Sequence, residues 1–174
     1  MLYSLEKNYH HFIFTRERER MATGLLEVHL VNAKGLTDTD FLGNIDPYVV
    51  MQYKGQERKS SVAQGQGGIP TWNEKFTFRV EYPGGGGQYK LILKIMDKDT
   101  FSPDDFLGEA TIYMEDFLSI GMENGSAELH PRKYNVVQAD GTYCGEIQVG
   151  LTLTRQYEQA TERDFGGWKE SDVS

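Results

Sequence analysis

Hydrophobic and polar residues alternate with a period of two over much of the chain between residues 24 and 154. Leu26, Val28 and Leu30, for example, share one face of the first alternating segment. Because side chains in a strand point alternately to opposite faces, this period predicts β-strands with one buried face. The segments read as strands are 24–32, 46–53, 56–62, 72–80, 89–96, 106–114, 127–137, which is expected to be interrupted around Pro131, and 145–154.

Turn signals separate these segments at the spacing of hairpins. Residues 63–70 form a glycine-rich loop, Gly84–Gly87 follow a proline, and Asp140-Gly141 is a strong turn signal. Only residues 115–120 indicate a short helical turn. The pattern predicts an all-β fold, an eight-stranded antiparallel β-sandwich.

Acidic residues concentrate in two of the connections. Asp97 and Asp99 are two residues apart, and Asp105 follows a Ser102-Pro103 turn. The stretch 36–50 brings Asp40 and Asp46 to another strand end. Converging carboxylates repel one another unless a cation lies between them, and an all-oxygen set favours calcium before magnesium. Taken alone, an acidic loop of this kind is more often a solvated turn, and the ion site gains support only from the presence of the second loop.

The order and spacing of these residues resemble those of a C2 domain, over about residues 22–156. The chain as a whole also resembles the small single-C2-domain proteins of plants, including the elicitor-responsive type. The stretches that carry the resemblance are Asp40-FLGNI-Asp46-Pro47-Tyr48, IPTWNEKF at 69–76, and Asp97-Lys98-Asp99 followed by Ser102, Asp105 and Leu107-Gly108.

The resemblance implies a site for two or three calcium ions. Asp46 and Asp97 would hold a shared central position, and the backbone carbonyls of Thr39 and Lys98 would contribute further oxygens. Asp38 offers a competing register for the first ligand, although the six-residue interval to Asp46 selects Asp40. The five aspartates that the family pattern identifies as ligands are Asp40, Asp46, Asp97, Asp99 and Asp105.

The same resemblance divides the chain. We expect a non-domain N-terminal extension at 1–20, the C2 domain at 21–156 and a polar tail at 157–174. Because a strand follows at 145–154 and no full strand precedes Gly24 in the domain, the circularly permuted type II topology is favoured. A leading strand within residues 1–20 would reverse that assignment.

The net charge of −8 argues against a general nucleic-acid binder and means that an anionic membrane repels the resting protein. A single cysteine, Cys144, excludes an internal disulfide and fits a reducing compartment. No apolar run approaches the ~20 residues of a membrane span, and residues 1–20 lack the features of a signal peptide. We therefore expect a cytoplasmic protein, and the resemblance to C2 domains implies that it moves to the plasma membrane with calcium.

The predicted function is calcium-dependent binding to anionic phospholipid membranes, in defence or stress signalling as the resemblance implies. Phe41, Leu42 and Phe101 lie at the loop tips and are predicted membrane contacts, unless they fold back onto the loops. The histidines and glycine-rich stretches form no catalytic or phosphate-binding arrangement, so no enzyme is expected. The alternatives are a protein-interaction module with calcium-rigidified loops and an RNA-associated phloem-type protein, which the acidic charge disfavours.

Overall fold

A computed structural model describes residues 21–36, 45–84 and 88–157 of the chain. The predicted extension at 1–20 and nearly all of the predicted tail at 157–174 lie outside these residues. No helix in the described part is long and apolar enough to cross a membrane. The elements, in chain order, are β1 (Ala22–Lys34), β2 (Pro47–Tyr53), β3 (Gln56–Lys59), β4 (Thr71–Tyr82), β5 (Lys90–Asp97), β6 (Asp105–Tyr113), α1 (Glu115–Asn124), β7 (Ser126–Val137) and β8 (Tyr143–Gln156).

The eight strands pair antiparallel in the order β3-β2-β5-β6-β7-β8-β1-β4. β6 and β7 share a single residue pair, Glu109 with Val137, so the sheet divides there into two four-stranded layers. The last strand, β8, lies between β7 and β1. This confirms the predicted eight-stranded sandwich, and the place of β8 agrees with the type II order favoured by the sequence.

The core is formed by the inward faces that the alternation identified. Leu26, Val28 and Leu30 are fully buried, as are Leu91, Leu93 and Ile95 on β5. Alternate side chains of these strands face outward and are only partly buried. Packing of the buried faces thus holds the two layers together, and the loops extend from the ends of the strands.

Every strand begins and ends within two residues of its predicted bounds, except that β3 ends three residues early. The segment 56–62 ends as a strand at Lys59. The Ser60 amide still donates to the Val49 carbonyl at 2.9 Å, but the Val49 amide donates to the Ser60 hydroxyl at 2.8 Å in place of a strand carbonyl, and the pairing stops there. The segment 127–137 was predicted to be interrupted at Pro131. β7 instead continues through Pro131, with a shift in register between Leu129 and Arg132.

Side chains close the side of the sandwich where β3 and β4 are the outermost strands. The Gln56 side chain donates to the carbonyl of Arg79 at 2.7 Å and accepts from its amide at 2.9 Å. Arg58 donates through Nε to the carbonyl of Thr77 at 3.2 Å. These contacts satisfy backbone groups that an open edge would expose to another chain.

Candidate metal centre

Three acidic side chains come from adjacent strand ends at one end of the sandwich. Pro47, the first residue of β2, pairs with Asp97, the last residue of β5. Asp97 pairs in turn with Asp105, the first residue of β6. Because neighbouring strands lie about 4.8 Å apart, Asp46, Asp97 and Asp105 are brought to one edge although their loops are far apart in sequence.

Hydrogen bonds fasten the two acidic segments to each other. The amide of Asp46 donates to Oδ1 of Asp97 at 2.7 Å, and the amide of Lys98 donates to the carbonyl of Asp46 at 3.1 Å. Oδ1 of Asp46 also accepts from the amide of Gly65 at 2.7 Å. Asp46 therefore joins the β5–β6 connection to loop 60–70 and sets the spacing of the carboxylates.

Asp99 carries the feature that points most directly to a cation. Its Oδ2 is buried and has no hydrogen-bond partner among the described residues. A buried carboxylate oxygen left without a partner is unfavourable, and a bound cation is one of the few groups that satisfy it. The proposed ligands are carboxylate and carbonyl oxygens, and oxygen ligands of this kind suit a hard ion such as calcium.

Asp104 belongs to the same loop but is engaged with the protein itself. Its Oδ1 accepts from Lys98 Nζ at 2.8 Å and from the amide of Asp99 at 3.3 Å. Its Oδ2 accepts from the hydroxyl of Tyr48 at 2.6 Å. The bonds from Lys98 and Tyr48 lower the pKa of Asp104 to about 2. Asp104 was missed at the level of sequence, where the only signal for it is an acidic residue next to Asp105 and six residues after Lys98.

The structure tests only part of the predicted ligand set. Asp46, Asp97 and Asp105 lie together at the strand ends, and Asp99 is in the loop beside them. Asp40 lies outside the described residues, as do Asp38, Thr39, Phe41 and Leu42. Within the described ranges, no three histidine, cysteine or acidic residues are grouped closely enough to hold a metal ion. The five-aspartate site therefore stays a prediction.

Two large apolar side chains are exposed in the loops at this end. Phe101, in loop 98–104, is 101% exposed, and Ile69, in loop 60–70, is 70% exposed. Ile69 follows Gly68, whose carbonyl accepts from the amide of Leu36 at 3.2 Å at the end of the first strand. Phe101 was predicted as a membrane contact. Ile69 was missed, because its sequence context, between glycines and a proline, indicates only a loop.

Comparison with known proteins agrees with this architecture. A family model of the C2 domain matches residues 24–129. The 16 kDa phloem protein 1 of Arabidopsis thaliana is 54% identical over 155 residues, which cover 88% of this chain and 99% of that protein. Elicitor-responsive protein 1 of Oryza sativa subsp. japonica is 56% identical over 153 residues, which cover 86% of this chain and 96% of that protein.

Solved structures give the same assignment. A C2 domain-containing protein from an elicitor-responsive gene matches with a TM-score of 0.61 and 45% sequence identity, covering 79% of this chain and 93% of that one. The resemblance found in the sequence is thereby confirmed. The chain belongs to the C2 domain family, close to the small plant proteins of the phloem and elicitor-responsive types.

Proposed function

We propose that this protein binds anionic phospholipid membranes when calcium occupies the acidic end of its sandwich. The observation that carries the proposal is the buried Oδ2 of Asp99, which has no hydrogen-bond partner among the described residues. It lies in the loop next to the strand ends that carry Asp46, Asp97 and Asp105. C2 domains commonly bind calcium, and the family includes many membrane-binding modules. The full ligand set in this proposal is Asp40, Asp46, Asp97, Asp99 and Asp105.

Charge explains why binding depends on the ion. The five carboxylates give this end a local charge of about −5, and the whole chain carries −8, so an anionic surface repels the protein. Two or three calcium ions change the local charge to between about −1 and +1, and they leave coordination positions for lipid phosphate or carboxylate oxygens. Repulsion is thus removed at the same point where lipid contact is made.

The protein's own residues prepare the site and the contact surface. Asp46 and Asp97 fix the spacing between the two acidic segments through the 2.7 Å bond from amide to carboxylate. Phe101 and Ile69 place apolar side chains at the same end, where they leave water when the loops reach the interfacial layer. Phe41 and Leu42 are proposed to contribute similarly.

We further propose that the protein acts as a binding module and not as a catalyst. It would reside in the cytoplasm and move to the plasma membrane when calcium rises. The name of one group of relatives, elicitor-responsive protein, supports a role in defence or stress signalling. The acidic charge continues to disfavour direct RNA binding, although the phloem names leave that alternative testable.

Co-sedimentation with phosphatidylserine vesicles, in calcium and in chelator, tests the proposal. Wild type should pellet only with calcium, and the double variant Asp97→Asn/Asp99→Asn should remain in the supernatant. The matched control is Asp116→Asn/Glu123→Gln, which removes the same charge from α1 at the opposite end of the sandwich. This control should pellet like wild type.

Two outcomes contradict the proposal. Wild type that stays in the supernatant at millimolar calcium excludes the membrane mechanism, and a protein partner becomes the leading alternative. Equal loss of pelleting in the α1 control means that net charge, and not the loop site, controls binding. Salt-sensitive RNA binding in chelator would instead support the phloem-type alternative.

A further inference from the structure

Lys98 stands between two of the proposed calcium ligands, Asp97 and Asp99. It is therefore the cationic residue nearest to both of them along the chain. In the structure it lies 2.8 Å from Oδ1 of Asp104, and the Lys98 side chain is about half exposed, at 49%. Lys98 therefore forms an ion pair with Asp104, which is not one of the two aspartates next to it in sequence.

Asp104 is held in the orientation that this contact requires. The Tyr48 hydroxyl donates to its second oxygen at 2.6 Å, and the Asp99 amide donates to the first at 3.3 Å. Both carboxylate oxygens are thereby used, and the side chain is only 18% exposed. The Tyr48 ring is itself covered by the ammonium of Lys59, 3.7 Å from the ring centroid. Asp104 is thus an acceptor whose orientation is fixed from β2.

We propose that Asp104 is a positioning residue that keeps the Lys98 ammonium away from Asp99, so that the buried Oδ2 of this carboxylate remains available to calcium. The inference rests on the proposed calcium site and concerns its regulation. An ammonium paired with a ligand carboxylate must be displaced before calcium binds, which lowers the apparent affinity. With Asp104 as its partner, Lys98 does not have to be displaced.

A simpler alternative makes a different prediction. If Asp104 only adds negative charge near the site, removing it weakens calcium binding by the same factor whether or not Lys98 is present. If Asp104 acts by holding Lys98, the effect of removing it depends on the lysine. A double-mutant cycle separates the two cases, because it isolates the coupling between the two residues.

The experiment is calorimetric titration of the full-length protein with calcium chloride, without lipid. The variants are Asp104→Asn, Lys98→Met and the double substitution. Asparagine keeps the shape of the side chain and one acceptor oxygen, which can accept from either Tyr48 or the Asp99 amide. Asp140→Asn is the matched control for charge, since Asp140 lies in the β7–β8 turn at the same end and contacts Thr142, not Lys98. Thermal unfolding in chelator verifies that each variant is folded.

Asp104→Asn should weaken calcium binding by about three- to tenfold in the wild-type background, the scale of one partly exposed ion pair. In the Lys98→Met background the same change should cost less than about twofold. Asp140→Asn should behave as wild type within about twofold. A structural role alone would not be rescued by Lys98→Met.

If Asp104→Asn weakens calcium binding by the same factor with Lys98 present and with Lys98→Met, this inference is wrong, while the proposed calcium site is unaffected. No calcium binding by wild type overturns both the inference and the proposed function. If Asp104→Asn fails to fold, Tyr48→Phe replaces it, because this variant keeps the charge and removes the orienting hydroxyl. It should weaken calcium binding in the same direction, and the effect should again disappear with Lys98→Met.

Discussion

Substitution of Phe101 should change membrane binding strongly and the stability of the fold very little. Its side chain is fully exposed, so Phe101→Ala should leave the free energy of unfolding within about 0.5 kcal/mol of wild type. If the ring leaves water on membrane binding, its loss should cost about 2 kcal/mol, which weakens partitioning by roughly 30-fold. Ile69 is already partly covered, so Ile69→Ala should weaken partitioning by about tenfold.

The assay is co-sedimentation at saturating calcium over a range of phosphatidylserine vesicle concentrations. Tyr113→Ala is the matched control, since Tyr113 is an aromatic residue that is 74% exposed at the opposite end of β6. It should pellet like wild type. Partitioning of Phe101→Ala within twofold of wild type would refute the insertion of this loop, and binding would then depend on calcium bridging alone.

Three further predictions concern packing and titration. Gly68→Ala should weaken calcium binding without touching a ligand, because the added methyl would clash with the Leu36 carbonyl and shift loop 60–70; calcium titration measures this. Tyr53→Phe should raise the free energy of unfolding by about 1 kcal/mol in urea titrations, because the buried hydroxyl has no partner among the described residues. Burial raises the pKa of Tyr53 to about 12 from 10.0, so wild type should lose stability as the pH rises from 10 through 12. Tyr53→Phe should lose less over that range.

The alternation of apolar and polar residues was sufficient to predict the strands of the two-layered sandwich, because a strand with one buried face has apolar residues at every second position. It was insufficient at Lys59, where apolar Val62 extended the predicted strand. A serine hydroxyl decided that boundary, since the bond from the Val49 amide to Ser60 competes with strand pairing. Side-chain bonds of this kind depend on the neighbouring strand, and the local sequence does not contain them.

For the candidate site too, local sequence was enough to select some residues but not to assign the contacts that depend on tertiary structure. Asp97, Asp99 and Asp105 were identified by their spacing, and the pairing of Asp97 with Asp105 follows from the hairpin register. Asp104 and Asp105 are the same residue type in adjacent positions, yet Asp104 binds Tyr48 and Lys98, and Asp105 begins the strand. The register and the position of β2 distinguish them, and both are tertiary features.

Calcium should reverse the stability order of a site variant and wild type. In chelator, Asp99→Asn should raise the free energy of unfolding by about 1 kcal/mol, because a buried carboxylate oxygen without a described partner is replaced by a neutral amide beside acidic groups. In calcium at 100 times its dissociation constant, wild type should gain about 2.7 kcal/mol, and the variant should gain much less. Urea unfolding with and without calcium measures both differences. The carboxylates that favour calcium binding destabilise the folded protein when calcium is absent. An Asp99→Asn variant that is less stable than wild type in chelator would therefore contradict this account of Asp99.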